Sequence, residues 1–146
     1  MNVQFGSGGN QLQGFNNHDI EVDITKPLPY QDGEVDFVLA EHVSEHVSGP
    51  QVLKFFQEVY RILKPGGVFR VCIPVLDRLD RNKAIDIISN HGHLTIWSEE
   101  LIPIVLWVAE FRAVSPVKFN EELDGHWRVI GKEQDAMETG RFEAVK

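Results

Sequence analysis

Apolar residues follow two rhythms along this chain, and the switches between them outline its elements. Val3 to Phe5 is a short apolar run that reads as a buried strand. Residues 6 to 14 hold Gly6, Gly8, Gly9 and Gly14 together with Asn10, a loop composition with little helical promise. Ile20, Val22 and Ile24 alternate with polar neighbours, so Phe15 to Ile24 predicts a second strand. Lys26-Pro-Leu-Pro-Tyr30 runs extended, because each proline ring pushes the residue before it out of the α region. Gln31-Asp-Gly33 is turn chemistry, and Val35 to Ala40 is a compact apolar run of the kind buried on both faces.

From Gly49 to Leu63 the rhythm becomes helical. Val52, Phe55, Phe56, Val59, Tyr60, Ile62 and Leu63 fall at helical spacings, with Lys54, Gln57, Glu58 and Arg61 on the other face. Lys64-Pro-Gly-Gly67 stops this helix: proline cannot continue the ladder, and glycine supplies a left-handed C-terminal residue. Val68 to Val75 resumes as a strand, and residues 77 to 90 predict a polar or short helical excursion. Ser98 predicts an N-cap for a helix from Glu99 to about Phe111, which Pro103 should kink or shorten. Ala113 to Phe119, Trp127 to Lys132 and Phe142 to Val145 are further strand candidates. This alternation predicts an α/β fold in one domain over residues 1–146: a Rossmann-like, doubly wound, mostly parallel sheet with flanking helices.

Composition narrows the function classes. The 146 residues suffice for one core, and a net charge of -8 argues against generic nucleic-acid or anionic-membrane binding. Cys72 is the single cysteine, so no intramolecular disulfide forms; its apolar surroundings predict a buried, inert thiol. No apolar run approaches the ~20 residues that span a bilayer, and no signal peptide precedes the first strand. The expectation is a soluble, cytoplasmic protein.

The first glycine cluster, Gly6-Ser-Gly8-Gly9, follows a strand directly, which is how doubly wound domains open a nucleotide site. It is one of an ordered set: Val3-Gln-Phe-Gly-Ser-Gly-Gly9, Gly14-Phe-Asn-Asn-His-Asp19, Val22-Asp-Ile24, Pro27-Leu-Pro-Tyr30, Val35-Asp-Phe-Val-Leu39, Glu41-His-Val-Ser-Glu-His46 and Glu58-Val-Tyr-Arg-Ile-Leu-Lys-Pro-Gly-Gly67. Over roughly the first 75 residues this order resembles the class I S-adenosylmethionine-dependent methyltransferases, in particular the methyltransferase type 11-like group. The C-terminal half matches more loosely, through His93, Trp97-Ser-Glu-Glu-Leu101 and Phe142-Glu-Ala-Val145.

The resemblance implies S-adenosyl-L-methionine as methyl donor to a small-molecule acceptor. It places Gly6, Gly8 and Gly9 beneath the methionine portion and Asp19 at the ribose hydroxyls, where a carboxylate makes charge-assisted bonds. Asp23 and Ile24 fall beside the adenine. Glu41, His42 and His46 fall where sulfonium and acceptor meet, with a histidine available to take a proton. Gln4 stands where the family often has an acid, so an amide takes that contact without a charge. The loop is Gly-x-Gly-Gly-Asn, hardly any room exists for a helix between the first two strands, and no helix precedes the first. The site is therefore expected to be open, completed by another subunit, or incomplete, and a non-catalytic methyltransferase-like binding module is the alternative.

Several motifs have blander readings. His42-Val-Ser-Glu45-His46 spells H-x-x-E-H, an inverted zinc-peptidase signature, but Gly49-Pro50 cuts it soon after a buried strand. Zinc hydrolysis is accordingly a remote alternative, and no metal ligands are assigned. His91-Gly-His93 reads as a turn. Trp97, Trp107 and Trp127 read as core or interface packing, and Asn120 to Asp124 as a solvated acidic loop. Ile102 to Phe111 is apolar enough for either a core helix or a homo-oligomer surface.

Overall fold

The computed structural model describes residues 1–125, 131, 135 and 138–146. Its strands are β1 (Asn2–Phe5), β2 (Phe15–His18), β3 (Val35–Glu41), β4 (Leu63–Pro74), β5 (Ala113–Pro116) and β6 (Thr139–Val145). Its helices are α1 (Gly49–Ile62), α2 (Arg81–Asn90) and α3 (Leu101–Val108). The sheet order is β2-β1-β3-β4-β6-β5. β2, β1, β3 and β4 are mutually parallel, and β6 runs against both of its neighbours. The mostly parallel α/β architecture is therefore present. The strand candidate Trp127 to Lys132, and Trp127 itself, lie outside the described residues, Gly131 apart.

Register divides the sheet into two unlike faces. One face stacks Val3, Val38, Phe69 and Ala144, then Phe5, Ala40, Val71 and Phe142, row by row. α1 covers it because Val52, Phe55, Phe56, Val59 and Ile62 recur at helical spacing and are fully buried. Edge-to-face rings lock the layer, with Phe56 5.2 Å from Phe69 and Phe5 5.6 Å from Phe55. The opposite face carries Gln4, Leu39 and Arg70 in one row and Glu41, Cys72 and Arg141 in the next. These polar groups are buried too. Charge rather than oil seals this side: Asp124 takes Nε and Nη2 of Arg70 at 2.8 and 2.7 Å and Nε of Arg141 at 2.9 Å. Asn120 to Asp124 is thus not wholly a solvated loop. Its first three residues are exposed, but Asp124 is buried as the counter-ion of two guanidinium groups.

Several elements differ from the sequence pattern: β5 ends at Pro116 rather than Phe119, β6 begins at Thr139 rather than Phe142, and three further differences have local causes. β2 ends at His18, not Ile24, because the Asp19 carbonyl accepts the Val22 N–H and the chain turns, leaving Ile20 95% exposed. α1 stops at Ile62 before any glycine: Leu63 is already extended and pairs with Val35, and Pro65 disfavours the α region for Lys64, which follows Leu63. Gly66, at φ 80°, instead shapes an irregularity inside β4. At the entry to α3, Ser98 Oγ accepts the Leu101 N–H at 3.1 Å; the N-cap position itself is Glu100, and the helix spans eight residues. Pro103 falls in its first turn, where a missing N–H is harmless, and α3 is shorter than the Glu99 to Phe111 span that the sequence predicts. Ile102 and Leu106 of α3 are buried, while Ile104, Trp107 and Val108 face outward; Trp107 is therefore not core, whereas Trp97 is.

Candidate active site

The carboxyl ends of β2, β1 and β3 lie side by side, and the residues that follow each strand wall an open cleft of about 450 Å³. Phe5, Gly6, Asp19, Ile20, Val22, Asp23, Ile24, His42, Val43, His46 and Val47 line it. Crevices at such strand ends are where open α/β sheets bind ligands, and the size suits a drug-sized molecule. Of the residues the sequence singled out, Gly6, Asp19, Asp23, Ile24, His42 and His46 are brought together here. Gln4, Gly8, Gly9 and Glu41 are not among the lining.

Each placement has a local cause. Gly6 has φ 75°, and a Cβ there would lie 2.2 Å from Val43 Cγ2 and 2.8 Å from the Glu41 carbonyl oxygen. That glycine lets the loop after β1 pass against the loop after β3. Gly8 and Gly9 are exposed, with nothing within 4 Å of such a Cβ. Gln4 is fully buried beneath the loop; its Oε1 accepts the Leu12 N–H at 3.4 Å, while its Nε2 has no partner.

Asp19 is the first residue after β2, held by its own N–H donating to the Glu21 carboxylate at 3.0 Å. Its carboxylate is exposed at the cleft and makes no hydrogen bond among the described residues. Asp23 is engaged differently. It accepts from the Thr25 hydroxyl at 2.6 Å and the Thr25 N–H at 3.0 Å, with Lys26 3.1 Å away, and these contacts hold its carboxyl down at about 2.

Beyond β3 the chain turns abruptly. Glu41 points inward, 5% exposed, with Oε2 accepting the Gly125 N–H at 2.8 Å. His42 adopts φ 52°, uncommon without glycine, and its N–H donates to the Cys72 carbonyl. Its Nδ1 lies 3.3 Å from Glu45 Oε1, and its Nε2 lies 3.3 Å from Thr139 Oγ1 and 4.0 Å from Asp135 Oδ1. Thr139 donates to Asp135 at 3.0 Å. The ring is thus set between two buried carboxylates. Burial pushes the Glu45 carboxyl up, but the His42 ring, its own backbone amide and the His46 charge together leave it below the usual range.

Ser44–His46 is a single 3₁₀ turn, and the next helix begins at Gly49. His42 and His46 therefore share no helical face, which removes the zinc-peptidase reading of H-x-x-E-H. Thr139 and Asp135 escaped the sequence reading because they approach His42 from about ninety residues away. Glu45 carried a signal, its place inside the H-x-x-E-H run. Cys72 is buried and its thiol pushed well up by burial, as an inert core cysteine should be.

Residues 8–71 match the methyltransferase domain family. The whole chain superposes on an S-adenosylmethionine-dependent methyltransferase from Archaeoglobus fulgidus with a TM-score of 0.71 at 15% identity, covering 99% of this chain and 85% of that one. The chain resembles the class I S-adenosylmethionine-dependent methyltransferases in sequence and in fold. A Thermotoga maritima methyltransferase matches with a TM-score of 0.65 at 17% identity, covering 99% of this chain and 81% of that one. The phosphoethanolamine N-methyltransferase 2 of Haemonchus contortus, in complex with S-adenosyl-L-methionine, matches with a TM-score of 0.66 at 15% identity. That match covers 99% of this chain but 48% of the enzyme, so the methyltransferase fold here spans about half of that relative. Comparison with curated protein sequences gave no match. No helix among the described residues is long and apolar enough to cross a membrane.

Proposed function

We propose that this chain binds S-adenosyl-L-methionine in the cleft at the ends of β1, β2 and β3 and transfers its methyl group to a small-molecule acceptor. The observation that carries the reading is the cleft itself. It joins a glycine that tolerates no Cβ, an unengaged carboxylate one residue past β2, and an apolar wall. The donor set fits such a nucleoside: Asp19 would accept from ribose hydroxyls, and Val22, Ile24, Val43 and Val47 would enclose the adenine. Gln4 Nε2, buried without a partner beneath the glycine loop, is a donor left over for a polar end group.

The bound cofactor supplies an electrophilic methyl carbon on a sulfonium; the protein has only to align and deprotonate the acceptor. Alignment by itself removes much of the barrier. His42 is placed for the proton: Glu45 Oε1 lies 3.3 Å from Nδ1 on one side of the ring, while Nε2 faces the Thr139 hydroxyl, which an acceptor hydroxyl or amine would displace. His46 lines the same edge.

Calorimetric titration with S-adenosylmethionine and S-adenosylhomocysteine tests the binding. One-to-one binding is expected, and Asp19→Ala should weaken it by about 1–3 kcal/mol with the fold intact. Affinity unchanged by that substitution would remove Asp19 from the site. Once an acceptor is found, His42→Ala should lower turnover more than affinity.

One observation favours the non-catalytic module as the second reading. Glu41, which the resemblance places near the sulfonium, is turned inward onto Gly125, and Asn10 packs so closely there that a Cβ on Gly125 would lie 1.4 Å from its side chain. Cofactor binding without turnover on any acceptor would establish that reading.

A further inference from the structure

Beside the cleft, three side chains from two separate segments converge. Glu45 and His46 come from the 3₁₀ turn after β3. His93 comes from the segment after α2, which is clipped to that turn by the Leu94 and Thr95 N–H groups donating to the Glu45 carbonyl at 2.8 and 3.1 Å. Thr95 Oγ1 adds a bond to the Ser44 carbonyl. The His46 and His93 rings meet edge to face, 4.8 Å apart, and one ligand atom from each of Glu45, His46 and His93 lies within 4.8 Å of the others.

Glu45 makes the cluster more than a surface coincidence. It is 0% exposed, yet no hydrogen bond reaches either carboxylate oxygen. The His42 ring stands at an ion-pair distance, off the line of a directed bond. A carboxylate removed from water needs a cation or several donors, and this one has two histidine rings at 3.3 and 4.0 Å and no hydrogen bond to either oxygen.

We propose that Glu45, His46 and His93 bind a divalent transition cation of the zinc class. Two imidazoles and a carboxylate are a donor set that zinc accepts, with further positions left for water or an oxygen ligand. Metal–nitrogen bonds near 2.1 Å put ligands roughly 3.4 Å apart in a tetrahedral site, so the ion would draw the set inward by about an ångström. His46, 46% exposed on its side chain, has the room to make that shift. His42 would supply the outer contact, its Nδ1 lying 3.3 Å from Glu45 Oε1, as metal-bound carboxylates commonly require. This set differs from the H-x-x-E-H reading: Glu45 is a ligand here, and the second histidine lies 47 residues further on, which no local motif announces.

The test is titration of the chelator-treated chain with Co²⁺, read by its visible d–d absorption, followed by displacement with Zn²⁺. A one-to-one tetrahedral-type spectrum that Zn²⁺ abolishes is expected. His93→Asn and His46→Asn should each weaken Co²⁺ binding by at least about tenfold. His91→Asn should leave it unchanged, because His91 is engaged with Asp86, 3.1 Å away. His46 is exposed, so its variant keeps the test usable if the His93 variant unfolds by circular dichroism. No stoichiometric spectrum in a folded sample, or one indifferent to His46→Asn, overturns the proposal. Titration of the metal-free chain with S-adenosylhomocysteine is independent of this result, so failure of the metal site and failure of the methyl-transfer reading are separable.

Discussion

At the scale of single residues, the two glycines flanking Ser7 do different work despite identical chemistry. Gly6 combines a left-handed φ with contact to Val43 and the Glu41 backbone; Gly8 shares the left-handed φ but faces open space. Gly8→Ala should therefore cost about 1 kcal/mol in urea unfolding, the strain of a left-handed alanine. Gly6→Ala should cost clearly more, because the backbone oxygen cannot step aside. Equal losses would mean that the β1 and β3 loops are not in contact. Asp23 gives a pH prediction. Its folded value, about 2, lies below the ordinary 3.8, so its stabilisation is complete above pH 3.8 and is lost as pH falls through about 2. Carboxyl NMR titration reads this directly; Thr25→Ala should move the midpoint upward, since the Thr25 hydroxyl is the largest contributor.

At the scale of elements, the two faces of the sheet rest on different physics. The α1 face is an aromatic and aliphatic layer whose pattern is written in a helix period and in alternating strand positions. The other face depends on Asp124, which holds Arg70 from β4 and Arg141 from β6. Asp124→Ala would strand two buried guanidinium groups and should destabilise by about 3–5 kcal/mol in denaturant unfolding. Replacing the exposed neighbour Glu122 should change little. The acidic run Asn120 to Asp124 does not reveal which of its carboxylates is structural, because burial is conferred by strands more than fifty residues earlier and seventeen later. Likewise α3 shows an apolar run but not its inward face, which β5, β6 and α1 select.

At the scale of the molecule, binding and stability are linked. A nucleoside bound only by the folded chain should raise its stability by about 2.7 kcal/mol at a hundredfold excess over Kd. Thermal melts with S-adenosylhomocysteine should shift upward accordingly, and Asp19→Ala should remove most of the shift. A melt indifferent to the ligand would place the cleft outside cofactor binding. The outward residues of α3, with Trp107 63% exposed, are the apolar surface on which the oligomer expectation rests.

Much of this was determined by sequence alone. The strand–glycine–strand order and the amphipathic α1 are local features, encoded by periodicity and turn chemistry, and the family resemblance singled out Gly6, Asp19, Asp23, Ile24, His42 and His46, which share one cleft. Tertiary structure decided what local pattern cannot carry. It ended β2 early, turned Glu41 inward, buried Asp124 between two arginines, set Thr139 and Asp135 against His42, and brought His93 to Glu45. Each of these depends on groups far apart in the chain meeting in a low-dielectric interior, where the cost of an unpaired charge, rather than any residue's own propensity, fixes the partner.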